Sequence, residues 1–134
     1  METQTVLHKT KRKPKKTKEK GIAWYKKKSI SEAKRVTRKK GKCERCGGTK
    51  NLQGSHIIPI SSSTLIGADL DNILCLCMSC HLYWWHKHPL AASEWFNRTW
   101  PGRKAMLETR ATQRRNNKPS LEFWKKLYAS LKAL

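Results

Sequence analysis

The sequence predicts a small α+β protein, with two short strands and a helix at its centre, a basic segment before them and additional helices after them. Two observations come from the middle of the chain, which has paired cysteines at 43–46 and 77–80 and two short β-biased runs, LQGSHIIPI and NILCLC. A third comes from the end of the chain, where apolar residues recur at helical spacing. A chain of 134 residues is long enough for one domain with extensions.

The order of the elements follows from local signals. Residues 31–40 favour a helix, with Ser31 as its N-cap and Gly41 as its stop. Pro59 interrupts the first strand, a polar loop follows, and the second strand leads into a helix that starts within MSCHLYWWHK. Pro89 ends that helix and occupies the first position of the next one. Two more helices are predicted at PGRKAMLETRATQRR and LEFWKKLYASLKAL.

The last of these helices has the clearest pattern. Ser120 can cap it, and its apolar side chains share one face, which predicts a core role for Leu121, Trp124, Leu127, Tyr128 and Leu131.

Charge is concentrated at the beginning of the chain. The sequence has 30 Lys and Arg against nine Asp and Glu, and residues 1–42 contain 17 of the basic and three of the acidic residues. We therefore expect a basic, partly disordered N-terminal arm over 1–42, a compact unit over 43–100 and a helical extension over 101–134. A field of this strength drives association with nucleic-acid phosphates, although a solvated tail and an acidic membrane surface are alternatives. Charge alone does not separate DNA from RNA.

The sequence contains no recognisable membrane span or secretory signal. No apolar run reaches the length of about 18 residues that a membrane span needs, and the N-terminus has no apolar core of a secretory signal. The sequence therefore predicts no membrane partner and an intracellular, reducing compartment, where closely paired cysteines favour metal over disulfides.

The paired cysteines predict a structural zinc site. Cys43-x-x-Cys46 and Cys77-x-x-Cys80 supply four sulfurs, and Zn²⁺ is the intracellular ion that best suits four thiolates. A redox C-x-x-C would not need a second pair. Cys75 alternates with Cys77 along the second strand, and a small core residue is the favoured interpretation over a ligand.

Three polar residues accompany the cysteines: His56 in the first strand, Asn72 at the start of the second, and His81 directly after the last cysteine. Together with SHIIP, DNILCLCMSCH and the upstream C-x-x-C, they resemble the zinc-containing HNH endonucleases, whose catalytic unit is the ββα-metal fold. The sequence further resembles small phage-type members related to NinG-like recombination proteins. The resemblance covers roughly residues 43–110 and leaves 1–42 outside.

The resemblance implies a metal-dependent endonuclease that hydrolyses double-stranded DNA in the cytoplasm of a bacterial host cell. His56 would be the general base, which suits an imidazole with an ordinary pKa of about 6.5. Asn72 would fix the loop that orients His56, and His81 would hold a catalytic divalent ion (Mg²⁺, Mn²⁺ or Ni²⁺) against the phosphate. One site per chain predicts that a monomer nicks one strand. The resemblance implies 5′-phosphate and 3′-hydroxyl ends, and we expect no small-molecule cofactor.

The sequence departs from the family pattern at the metal ligands. Ser55 stands directly before the general base, where many HNH enzymes have Asp or His, and we assign it to the catalytic ion as a weak ligand. Trp85 occupies the position one turn after His81, and neither His86 nor His88 has the i,i+4 spacing that would place it beside His81.

Contacts with DNA phosphates are assigned from charge. The phosphate clamp falls to Lys87, Arg98 or Arg103, and Trp24 and Tyr25 are expected to pack on the domain rather than stack on bases. The predicted nucleic-acid contacts are Lys26, Lys27, Lys28, Arg35, Arg38, Lys87 and Arg103.

Two other functions remain open at this stage. One is a non-catalytic, zinc-stabilised module that binds nucleic acid, and the other is a structure-selective nuclease for branched recombination intermediates. Loss of cleavage without loss of binding in a His56→Ala variant separates the first from an enzyme, and a four-way junction substrate separates the second from a general nickase.

Overall fold

A computed structural model describes residues 19–60, 64–115 and 117–134. Its elements in chain order are α1 (Ile22–Arg38), β1 (Leu52–His56), α2 (Thr64–Gly67), a 3-10 turn (Leu70–Asn72), β2 (Ile73–Cys77), a π-helix (Ser79–Trp85), α3 (Pro89–Thr99), α4 (Arg103–Arg115) and α5 (Leu121–Ala133). The predicted small α+β class is confirmed. No helix among the described residues is long and apolar enough to cross a membrane.

The two strands pair antiparallel into one small sheet. Leu52 lies opposite Cys77, and His56 lies opposite Ile73 at the other end of the ladder. The paired cysteines and His56 therefore occupy opposite ends of the same hairpin.

One face of the sheet packs against the helices that follow it. Leu74 and Leu76 from β2 are fully buried and cluster with Phe96 of α3, and partly buried tryptophans surround this cluster. The π-helix is fixed between these elements because Trp84 packs edge-on against Trp95, with ring centroids 5.4 Å apart.

The other face of the sheet packs against α1, which is longer than the sequence predicts. The helix begins at Ile22, with Gly21 as its N-cap, so the predicted start at Ser31 is wrong. The buried residues of α1 are the small side chains of Ser29, Ala33 and Thr37, spaced four apart, and a stripe of this kind has no hydrophobic periodicity to detect. Small side chains let the helix approach the sheet closely.

The N-terminal arm predicted over 1–42 is therefore only partly an extension. Trp24 and Tyr25 pack edge-on against Tyr128 of α5, with ring centroids 5.5 and 5.8 Å apart, which supports packing over base stacking. Residues 1–18 lie outside the described residues, and the disorder predicted there is not tested.

The C-terminal helices begin close to their predicted positions. Pro89 occupies the first turn of α3, and the Ser120 hydroxyl accepts a hydrogen bond from the Phe123 amide at the start of α5. Trp124 and Leu131 are buried as expected, and Leu131 contacts Ala33 and Ile73 in the cluster under α1.

Helix α4 is connected to the loop before β2 by ion pairs. Arg114 contacts the Asp69 carboxylate at 2.7 Å, and Arg110 contacts the carboxylates of Asp69 and Asp71 at 3.2 and 2.7 Å. Beneath these pairs, the buried side chains of Ile66 and Leu107 join α2 to α4.

Candidate active site and zinc site

Four thiols converge where the loop after α1 meets the end of β2. The sulfurs of Cys43, Cys46, Cys77 and Cys80 all lie within 4.8 Å of one another, and Cys46 Sγ is 3.7 Å from Cys77 Sγ. A tetrahedral zinc with Zn–S bonds of about 2.3 Å places its sulfurs about 3.8 Å apart. The cluster therefore fits Zn²⁺ without rearrangement.

Local backbone geometry builds this cluster. Gly47 has a φ of 74°, which a tight turn after Cys46 requires, and the Gly48 amide donates to Cys46 Sγ at 3.4 Å. The Cys80 amide donates in the same way to Cys77 Sγ at 3.4 Å. Each C-x-x-C thus orients its sulfurs with its own backbone.

The electrostatics of the thiols favour a bound cation. The pKa of the Cys80 thiol is raised to about 12, chiefly by burial and also by the neighbouring sulfurs, while the hydrogen bond from Arg45 opposes the shift. At Cys43 burial also raises the pKa, but backbone hydrogen bonds outweigh it and bring the value to about 7. Four thiolates at these distances repel one another, and a central divalent cation is what lets all four ionise together.

Cys75 takes no part in the cluster. Its side chain is fully buried, and its amide donates to the Glu44 carboxylate at 2.8 Å. The four-sulfur group excludes it, which agrees with the core role favoured from the sequence.

His56 ends β1 as a half-buried imidazole with one nitrogen engaged. Its Nε2–H donates to the Gly67 carbonyl oxygen at 2.7 Å, which leaves the Nδ1 lone pair available as a base. Burial lowers the pKa of His56, the hydrogen bond to Gly67 opposes this shift, and the positive charge of Lys34 adds to it, so the surroundings favour the neutral ring.

Asn72 connects the two segments on either side of this imidazole. It is fully buried, and its Oδ1 accepts from the Ile58 amide at 2.8 Å while its Nδ2 donates to the carbonyls of Ile58 and Ile66, both at 3.0 Å. Ile58 follows His56 by two residues, and Ile66 directly precedes Gly67. Asn72 therefore connects the segment that carries His56 to the segment that carries Gly67, the hydrogen-bond acceptor of His56.

His81 lies in the π-helix, with both ring nitrogens in hydrogen bonds. Its Nδ1–H donates to Gln53 Oε1 at 2.7 Å, so its Nε2 carries the lone pair. That Nε2 is 2.9 Å from Nε2 of His86. Burial lowers the pKa of His81, and the charges of His86, Lys34 and His56 act in the same direction. His81 is not part of the group of four clustered sulfurs.

The position of His86 is the functional feature that the sequence analysis missed. In an ordinary α-helix a residue five positions on does not lie above His81, but a π-helix hydrogen-bonds i to i+5, and the His86 amide donates to the His81 carbonyl at 3.2 Å. The two consecutive indoles of Trp84 and Trp85 pack on Trp95 and Phe96, and the wider turn allows both to reach α3. The two consecutive tryptophans were the signal in the sequence from which the wider turn could have been predicted.

The two imidazoles have the spacing of neighbouring ligands on one ion. Metal–nitrogen bonds of about 2.1 Å at a right angle place their nitrogens about 3.0 Å apart. The hydrogen bond from Nδ1 of His81 to a carbonyl oxygen is the arrangement that orients metal-bound histidines. His81 and His86 therefore fit a divalent ion, with Gln53 fixing the first of them.

The remaining predicted ligand, Ser55, is fully buried, and its Oγ has no hydrogen-bond partner among the described residues. Strand alternation places Ser55 on the same face as Gln53, toward the π-helix. Its role as a ligand stays a prediction. His88 is exposed at the N-cap of α3 and is not among the hydrogen-bond partners of His81 and His86.

The predicted nucleic-acid contacts have mixed surroundings. Arg35 donates to the Leu131 carbonyl at 3.1 Å, and Arg103 donates to the Asp71 carbonyl at 2.6 Å, so both join elements of the fold. The ammonium groups of three other predicted contacts lie over aromatic rings: Lys26, Lys28 and Lys87. The remaining two, Lys27 and Arg38, are exposed, as are Lys28 and Lys87. Arg98, the third candidate for the phosphate clamp, is exposed on α3.

Comparison with known proteins gives one match. Residues 43–83 match the family model described as HNH endonuclease, a span that contains the four clustered thiols, His56, Asn72 and His81 and ends before His86. Neither the search of curated proteins nor the search of solved structures found a match. The narrower relation to NinG-like proteins stays a prediction.

Proposed function

We propose that this chain, which carries an HNH endonuclease segment at residues 43–83, is a metal-dependent endonuclease that nicks double-stranded DNA. The observation that carries the proposal is the state of the three imidazoles. His56 has its Nε2–H hydrogen-bonded and its Nδ1 free, and the other two rings have their Nε2 atoms 2.9 Å apart. A zinc-stabilised binding module has no need for either arrangement.

His56 acts as the general base in this mechanism. Its Nδ1 takes a proton from water as the water oxygen bonds to phosphorus, and the bond from phosphorus to the 3′ oxygen breaks. The 3′ oxygen takes a proton from solvent, which gives 5′-phosphate and 3′-hydroxyl ends. The Gly67 carbonyl keeps His56 in the required tautomer, and Asn72 keeps that carbonyl in place.

His81 and His86 would hold the catalytic divalent ion, and the hydrogen bond to Gln53 orients His81 for this role. Such an ion would supply positive charge that stabilises the negative charge developing at the phosphate. Imidazole nitrogens suit Ni²⁺ better than Mg²⁺, which prefers oxygen ligands. Of the three predicted ions we therefore propose Ni²⁺ first, followed by Mn²⁺ and Mg²⁺.

The basic surface supplies affinity for the DNA backbone. With a net charge of +21, the chain forms sequence-independent phosphate contacts, and one site per monomer cuts one strand. The cytoplasm of a bacterial host cell is the proposed location.

The test is conversion of supercoiled plasmid to open circles by purified protein with Ni²⁺, Mn²⁺ or Mg²⁺. We expect nicking with at least one ion and a loss of about 10²- to 10⁴-fold in His56→Ala, with zinc content and DNA binding retained. Plasmid that stays supercoiled with every ion would leave the binding module as the function. Faster cleavage of a four-way junction than of linear duplex would identify a structure-selective nuclease.

A further inference from the structure

Helix α1 lies outside the HNH segment, yet one of its lysines crosses the strand that carries the general base. A Cβ atom built on Gly54 would lie 2.8 Å from Lys34 Cγ and 3.0 Å from Lys34 Cβ. The stem of Lys34 therefore occupies the space over β1 that any other residue at position 54 would fill. The close approach of the Lys34 side chain therefore requires glycine at position 54 of β1.

This position places Lys34 on the same side of the hairpin as the general base. Side chains two residues apart in a strand point to one face, so Gly54 and His56 share a face. The packing of its stem over Gly54 therefore places Lys34 beside the face of β1 that carries His56, and its positive charge accordingly contributes to the lowered pKa of His56.

The ammonium group has no anionic partner in the described part of the chain. Lys34 is half-buried, and the six ion pairs of the described residues do not include it. Lys40, which follows the end of α1, does pair with Glu44. A partly desolvated cation without an anionic partner is an unfavourable arrangement in the free protein, and it becomes a favourable one when an anion binds beside it.

We infer that Lys34 is a phosphate-binding catalytic residue that contacts a non-bridging oxygen of the scissile phosphate, opposite the His81–His86 pair. This inference rests on the proposed function. The Lys34 ammonium stabilises the negative charge that grows on the phosphate oxygens as water attacks. Because the stem of Lys34 is already fixed over Gly54, binding the phosphate costs little side-chain entropy. The clamp predicted at Lys87, Arg98 or Arg103 is then not needed for the chemical step.

Lys34→Met tests the inference, because methionine keeps an apolar stem over Gly54 and removes the charge. Single-turnover nicking at saturating protein should fall about 100-fold, the usual effect of removing one donor to a developing oxyanion. The salt dependence of duplex binding should lose about one phosphate contact, a change in slope of about 0.9. Lys34→Arg, which restores the charge, should recover most of the rate.

Lys126→Ala is the matched control, since Lys126 is exposed on α5 and the variant removes the same unit of charge. Melting temperature and zinc content are measured first, and Lys34→Gln replaces the methionine variant if that variant melts lower than the control. Nicking by Lys34→Met or Lys34→Gln within threefold of Lys126→Ala would overturn the inference and leave the proposed function standing. A wild-type protein that nicks no DNA would remove both.

Discussion

The thiol cluster and the imidazole pair are both candidate metal sites, they include the adjacent residues Cys80 and His81, and they differ in what surrounds the ligands. The four sulfurs face one another within 4.8 Å and leave no position for another ligand. The two imidazoles supply only two neighbouring nitrogen ligands, with Nε2 atoms 2.9 Å apart, at the exposed end of the π-helix. A closed shell stabilises a fold, whereas an open one leaves room for water and phosphate. The two sites should therefore fail in different ways.

Loss of the thiol site should have the largest effect. We expect Cys80→Ala, or removal of the zinc with a chelator, to abolish the cooperative melting transition, because structural zinc supplies about 10–16 kcal/mol and a domain is stable by only about 5–15 kcal/mol. Circular dichroism and metal analysis measure this. Cys75→Ala should keep one zinc per chain, since Cys75 lies outside the cluster. A chelated protein that still melts cooperatively would contradict the assignment.

Asn72 should affect both stability and nicking, since it is a buried residue of the fold and also connects the segments that position the proposed base, His56. Asn72→Ala leaves three backbone groups without their partners, two of them on Ile58. We expect a loss of roughly 2–4 kcal/mol in the free energy of unfolding together with loss of nicking. Urea unfolding measures the first effect. His56→Ala, by comparison, should lose nicking alone, and equal destabilisation by both variants would remove the distinction.

The imidazole pair should affect metal affinity without affecting the fold. His86→Ala removes one of two nitrogen ligands, so the concentration of Ni²⁺ or Mn²⁺ needed for half-maximal nicking should rise at least about tenfold. His88→Ala is the control, because His88 is exposed and forms no hydrogen bond with either imidazole of the pair. Both variants should melt as the wild type does. An equal metal requirement in the two variants would exclude His86 as a ligand.

The same contrast separates what the sequence could and could not predict. C-x-x-C spacing keeps the two sulfurs of each pair close in any fold, so the two half-sites follow from the sequence and only their meeting depends on the hairpin. His86 was missed because its placement depends on the π-helix and on the partners of Trp84 and Trp85, which is a tertiary effect. The early start of α1 was missed for a related reason, because its buried stripe consists of small residues. Lys34 depends on both the helix and Gly54, so charge alone could not select it from 30 basic residues.

The smallest expected effect concerns the ion pairs that join α4 to the loop before β2. Arg114 and Asp69 are 2.7 Å apart, but the guanidinium side chain is 30% exposed and Arg110 contacts the same carboxylate. We expect Arg114→Ala to cost less than about 1 kcal/mol, a shift of a few degrees in melting temperature, with nicking unchanged. If the loop that presents Gly67 to His56 depended on these charges, high salt or this variant would slow nicking as much as Asn72→Ala does. Because Asn72 is buried and its three hydrogen bonds are not screened by salt, we expect it to fix the position of the base while the ion pairs contribute little.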